Sequence, residues 1–292
     1  MKVGYLNIAA GLLMLVAASA LAGESVDESW KIDANATISI ENIAGEIEIK
    51  GWDRNEAHLT GTLGNSVDEL EISASGSRLS ISVINKGSRN IDSTELKLMM
   101  PNGANVDATA VSADIGVSGL DNEKLTASSV SGDVVVNATS QRVSIESVSG
   151  NVEFKGQTER ISAESVSGDV ELSGISGEIA ATTVSGDMEL YAGSVDNAKL
   201  ETVSGDMTLE AEISGNGKLT AESMSGDVIF NLPSSQSGSF KAESFSGRIH
   251  TDFGSVEKTR HGPGSRLKHS TGSGGSEVRI ETFSGNIKLK HN

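Results

Sequence analysis

The chain has no cysteine, which excludes disulfides, thiolate metal ligands, a cysteine nucleophile and a lipoprotein anchor. Aromatic residues are scarce, at 3% of the sequence, so the large-side-chain core of an ordinary globule of this length is missing. No segment beyond the amino terminus carries a helical apolar period, which argues against helical architectures. Basic residues are outnumbered, 23 Lys and Arg against 40 Asp and Glu, for a net charge of -17. That balance argues against nucleic acid, where binding rests on cations neutralising phosphate. It also opposes attraction to anionic lipid headgroups.

Long hydrophobic runs are missing too. Residues 8–18 form the longest one, behind Lys2 and ahead of Ala20-Leu21-Ala22. A basic start, a short apolar run and a small-x-small site are the marks of a secretory signal peptide, expected to span 1–22 with cleavage near Ala22. No later stretch approaches the ~20 residues of a membrane-spanning helix. The mature chain is therefore expected outside the cytoplasm, in the periplasm or on the cell surface.

What the sequence does have is repetition. Ser165-Val166-Ser167-Gly168-Asp169-Val170 recurs as Ser129-Val130-Ser131-Gly132-Asp133-Val134, Ser147-Val148-Ser149-Gly150-Asn151-Val152 and Thr183-Val184-Ser185-Gly186-Asp187-Met188. Glycines 132, 150, 168 and 186 are 18 residues apart, and the steps to Gly205, Gly226 and Gly247 are 19, 21 and 21. A fixed period in this range marks stacked coils, each burying its apolar face against its neighbours. The expected fold is all-β, a single-stranded β-solenoid (β-helix) with coils of about 18–21 residues.

Aligning the copies on the glycine gives columns of like residues. Seven and five positions before it stand residues such as Val143, Ile161, Ile145 and Ala163. Two and four after it stand Val152, Val170, Phe154 and Leu172. Two before it stand Val130, Val148, Val166, Val184, Val203, Met224 and Phe245. All five columns are expected to face the core, with the chain turning a corner just before Val-Ser-Gly, because two of the columns are out of phase with the other three. The growing period is taken up after the last apolar site, around 137–142, 155–160, 191–199 and 231–238.

The domain expected over 23–292 has four parts. An irregular first part runs to about 105, with a polar lead-in over 24–36 and alternating strands at 57–63, 70–74, 79–84 and 95–100. Regular repeats fill 106–253. A loop insertion follows over 254–276, with the basic residues Lys258, Arg260, His261, Arg266, Lys268 and His269, and a final coil over 277–290 serves as its own cap.

Two acidic columns could carry chemistry. Asp169, Asp187, Asp206 and Asp227 follow successive repeat glycines and are the residues a cation column would use. Like charges ~4.8 Å apart in water repel by only about 1 kcal/mol, so the spacing demands no metal, and a turn-and-solubility role is preferred. Glu146, Glu164, Glu201, Glu222 and Glu243 form the second column, on the outer face. A serine present in every coil is a ladder, without the Gly-x-Ser-x-Gly elbow of a nucleophile. His58, His250, His261, His269 and His291 lack metal-ligand spacing. No catalytic residue and no cofactor is assigned, and the chain is read as not an enzyme.

Gly51-Trp52-Asp53-Arg54-Asn55-Glu56 with Leu59-Thr60-Gly61-Thr62-Leu63-Gly64, Pro101-Asn102-Gly103, and the serial Val-Ser-Gly-Asp units resemble the bacterial putative-adhesin family, as do Gly262-Pro263-Gly264 and Gly272-Ser273-Gly274. The resemblance implies an extracytoplasmic β-strand-repeat protein and supplies no catalytic residues. A long uniform surface without catalytic punctuation makes the leading reading an adhesin-like binding module that presents a flat acidic face or a loop edge to a protein or glycan of the cell envelope. The alternatives are an envelope structural or stress-response component that associates end to end through uncovered terminal coils, and, third, a polysaccharide-active β-helix enzyme.

Overall fold

A computed structural model describes residues 23–85, 87, 91–258, 264–272 and 275–292, and the backbone of 14–18. The rest of the expected signal peptide, Arg260 and His261 of the basic segment, and parts of the Gly-Pro-Gly and Gly-Ser-Gly stretches lie outside the described residues. The described chain is β-strand throughout its regular parts, paired into one continuous sheet that coils on itself.

The regular repeats stack in parallel and in register. Val152 pairs with Val170, Phe154 with Leu172, Ile161 with Ile179 and Ala163 with Ala181, so like sits on like along the rod. These four columns are buried, as expected from the sequence. Each fully buried aliphatic or aromatic side chain contributes about 1.5–3 kcal/mol relative to exposure, which lets a narrow core hold without many aromatics. The lengthening of the period is absorbed at the expected edge, where the pairing slips between Tyr191 and Ser194 and between Val195 and Asn197.

The fifth column does not face the core. Val130, Val148, Val166, Val184 and Val203 are 39–48% exposed, and Met224 and Phe245 more so. The inward place at each corner belongs instead to the residue three before the glycine: Ser129, Ser147, Ser165, Thr183, Thr202, Ser223 and Ser244 are all buried. Inward positions thus run at seven, five and three before the glycine, and the change of phase falls between that hydroxyl residue and the glycine. The corner lies later in the repeat than the apolar pattern suggests.

The ends of the rod depart from sequence order. At the amino end Thr37–Trp52 pairs on one side with Arg78–Ile84 and Thr94–Pro101, and on the other with Asn105–Ser129. Thr37–Trp52, earliest of these in the chain, is therefore an internal layer of the stack. At the carboxyl end the final coil is likewise internal. Glu277–Ser284 lies between Met207–Ser225 and Gly238–Ser244, and Ile287–His291 lies between Val228–Leu232 and Ile249–Thr251. The final coil is thus not the cap that its place in the sequence suggests.

Antiparallel strands close the stack instead. Ser265–Thr271 pairs antiparallel with Gly238–Ser244 and with Val256–Lys258, so the segment read as a loop insertion carries the carboxyl-terminal cap. Ser25–Lys31, expected as a polar lead-in, is a strand antiparallel to Glu56–Thr62, which in turn pairs with Thr94–Pro101. The backbone of Met14–Ala18 pairs with Glu69–Ser75. The Trp52 segment is a turn: its indole donates to the Glu56 carbonyl at 2.7 Å while the Arg54 guanidinium lies 4.8 Å from the ring centroid.

Candidate functional site: an exposed apolar column

The corner chemistry explains why the column points outward. In the middle coils the serine hydroxyl bridges two backbones. Ser147 Oγ donates to the Gly132 carbonyl of the preceding coil at 3.0 Å and accepts the Gly150 N–H at 2.9 Å. Ser165 does the same with Gly150 and Gly168, at 3.2 and 2.9 Å. Holding the hydroxyl inside turns the next side chain, Val148 or Val166, to solvent. The glycine is required by crowding: a Cβ on Gly168 would lie 2.0 Å from the Gly150 carbonyl oxygen.

Farther along, the corner relaxes into regular sheet. Gly205 N–H donates to the Ser225 carbonyl and Gly226 N–H to that of Ser284, each at 3.1 Å, and Gly226 takes a φ of 139° that favours glycine. Paired strand now runs through the column, with Thr202 opposite Ser223 and Ser204 opposite Ser225. The inward hydroxyls of Thr202, Ser223 and Thr282 then have no hydrogen-bond partner.

In spatial order the outer column reads Val111, Val130, Val148, Val166, Val184, Val203, Met224, Phe283, Phe245. Among the described residues, every exposed large apolar side chain except Ile91 and Tyr191 belongs to it. Phe283 stands two before Gly285 in the same motif, and the sequence alignment missed the column as a surface because apolar residues at a fixed period read as core. At its aromatic end the rings of Phe245 and Phe283 stack with centroids 4.8 Å apart. A recess of about 610 Å³ opens there, floored and walled by Val184, Val203, Met224, Phe245 and Phe283 together with Glu201, Glu222, Glu243 and Glu281.

The column that a cation would use lies on the other side of the apolar one, and its oxygens already hold backbone. Asp169 Oδ1 accepts the Asp187 N–H, Asp187 that of Asp206, and Asp206 that of Asp227, each at 2.8 Å. Asp227 accepts the N–H of Asn286 at 2.9 Å, which with Lys288 holds its carboxyl below the ordinary carboxylate range against the opposing effect of burial. Asn151 accepts the Asp169 N–H in the same geometry, so the ladder works with a neutral member. No group of three or more described His, Asp or Glu side chains is placed to hold a metal. His58 is hydrogen-bonded to Asp27 at 2.8 Å and His291 meets Phe253 edge-on.

A second recess of about 850 Å³ lies on the lengthening edge, with Asp121, Glu123, Gln141, Gln157, Glu159 and Ser176 among its lining. Ile175 and several glycines complete the lining, which has no aromatic side chain.

The fold and surface together define a capped β-solenoid that carries a continuous apolar stripe between acidic columns. The chain belongs to the Toastrack DUF4097 family, whose sequence profile matches residues 30–290. None of the curated proteins matches it. Among solved structures, the chain is similar to a putative lipid binding protein from Parabacteroides distasonis ATCC 8503, at 13% identity and a TM-score of 0.51, covering 92% of this chain and 97% of that one. It is also similar to a putative adhesin from Bacteroides fragilis NCTC 9343, at 15% identity and a TM-score of 0.47, over 91% and 97% of the two chains. A putative cell adhesion protein from Clostridium sporogenes ATCC 15579 matches at 12% identity and a TM-score of 0.25, over 92% of this chain and all of that one. At 13% identity the likeness to the lipid binding protein, with its TM-score of 0.51, is one of fold. No helix among the described residues is long and apolar enough to cross a membrane.

Proposed function

We propose that the protein is an exported, non-enzymatic binding module of the bacterial cell envelope, and that the exposed apolar column is its docking face. The observation that carries this reading is the column itself. Contiguous apolar surface on a strongly acidic chain marks an interaction site more often than scattered single residues do. The aspartate ladder supports the non-enzymatic part, since carboxylates committed to backbone N–H groups serve as scaffold. The expected signal peptide over 1–22 supports release to the periplasm or cell surface. The carboxylates and amides of the edge recess support a glycan as a second class of partner.

End-to-end assembly into an envelope scaffold has less support, because antiparallel strands cover the terminal layers on which it would rely. The test is binding of purified residues 23–292 to intact cells, envelope-protein extracts and glycan arrays, beside a Val148→Lys, Val203→Lys variant. Binding that the variant loses is expected. Absence of binding, or binding indifferent to the variant, counts against the reading. Sedimentation velocity across concentration is expected to show a monomer, and growth of the particle with concentration would favour assembly.

A further inference from the structure

We infer that the aromatic end of the column is a receptor groove for a cationic segment of a partner protein, one whose apolar side chains alternate with Lys or Arg. The inference rests on the reading of the column as a docking face and names what that face recognises. Val203, Met224, Phe283 and Phe245 supply the apolar floor, each between 48% and 60% exposed. Met224 can repack around varied side chains, and the parallel Phe pair presents ring surface that favours a cation or an apolar group.

The charges around the floor select the occupant. Glu201, Glu222, Glu243 and Glu281 line the recess and no basic residue does. Across the column stand Asp187, Asp206 and Asp227. The facing cations are Lys199 on Glu201 at 2.8 Å, Arg279 on Glu281 at 2.7 Å, Arg266 on Glu243 at 2.6 Å and Lys288 on Asp227 at 3.6 Å, with Lys241, on Glu277 at 3.4 Å, and Lys268 beside Glu243 and Glu281. Arg248 stands at the aspartate position of the last coil. With Glu277 the acids outnumber these cations, Glu222 has no ion-pair partner among the described residues, and exposed pairs of this kind exchange readily.

Symmetry removes a second copy of the chain as the occupant. Two rods meeting through this stripe about a two-fold axis can lie parallel or antiparallel. The antiparallel arrangement sets glutamate against glutamate and aspartate against aspartate; the parallel one sets glutamate against aspartate. Both oppose like charges along the length of the contact. A cationic strip with apolar teeth meets no such opposition.

The probe is a peptide of alternating Lys and Leu, titrated into residues 23–292 by calorimetry, with Lys–Ser and Glu–Leu peptides and phosphatidylglycerol vesicles as comparisons. The Lys–Leu peptide is expected to bind at least about tenfold more tightly than either other peptide, as apolar anchors and charge are both required. Met224→Ser with Phe283→Ser is expected to weaken it about tenfold, while Tyr191→Ser, at an exposed apolar residue outside the column, leaves it unchanged. All variants are checked for native circular dichroism. Equal affinity for the Glu–Leu peptide, preference for the vesicles, or a loss in Tyr191→Ser equal to that in Met224→Ser with Phe283→Ser overturns the inference. If Met224→Ser with Phe283→Ser abolishes envelope binding while no peptide binds, the docking face stands and the cationic partner falls. If the peptide binds at the groove while envelope binding ignores every column variant, the docking-face reading falls and the groove's chemistry stands.

Discussion

Phe245 and Phe283 stack with their planes 8° from parallel, although they belong to segments whose order along the rod is the reverse of their order in the chain. The pair forms because Glu277–Ser284 enters the stack beneath the earlier strand Gly238–Ser244. Gly226, Gly285 and Gly247 record the same order, each crowded by the carbonyl of the layer before it: a Cβ on Gly285 would lie 1.9 Å from the Gly226 oxygen, and one on Gly247 1.9 Å from the Gly285 oxygen.

Truncation after residue 276 is therefore expected to remove an internal layer and not an end cap. The strands Gly238–Ser244 and Ile249–Thr251 lose their parallel neighbours. Loss of the carboxyl-terminal cap's protection in hydrogen exchange is the expected result. Retained protection over 238–271 would mean the layers close up without it.

Serine hydroxyls at equivalent positions are expected to differ in worth. Ser165→Ala removes a hydroxyl bonded to two backbones and strands both, at a cost of about 1–3 kcal/mol. Ser223→Ala removes a buried hydroxyl with no partner and is expected within about 0.5 kcal/mol of the parent, or slightly more stable. Denaturant melts of the two variants make the comparison.

Gly168→Ala drives a methyl group into the carbonyl of the neighbouring coil and is expected to destabilise by about 1–3 kcal/mol. Because each coil touches only its neighbours, the loss is expected to show as earlier local exchange around 150–170 before global unfolding.

The Asp227 carboxyl titrates below its ordinary value of 3.8 because the Asn286 N–H, its side-chain amide and Lys288 favour the charged form. A depressed folded-state value contributes stability above the unfolded value and loses it as pH falls through the folded one. Acid unfolding of Asp227→Asn, followed below about pH 4, is expected to depend less on pH than that of the parent. Identical acid profiles would remove the ladder's terminal carboxylate as a stabilising group.

The period, the parallel register, four of five core columns and the edge that takes up extra length were legible in the sequence, since each depends on chemistry within one repeat. The outward column was not. Val148 is as apolar as Val152, and what separates them is the Ser147 hydroxyl, whose acceptor is a carbonyl one coil away. The order of layers at both ends was hidden for a related reason. Adjacent segments of a repeat protein are presumed neighbours, and nothing within residues 277–291 marks the gap between Met207–Ser225 and Gly238–Ser244 as their place. The apolar part of the candidate groove, built of Val203, Met224, Phe283 and Phe245, needed both pieces of information.

The absence of native cysteine makes the orientation of the column directly measurable. Single cysteines in place of Val148, Val203 and Phe283, and of the buried Val152 as reference, can be reacted with a maleimide under native conditions. The expected result is fast labelling at Val148→Cys, Val203→Cys and Phe283→Cys, with Val152→Cys protected until denaturant is added. Protection of Val148→Cys to the same degree as Val152→Cys would contradict the exposed column and the docking face built on it.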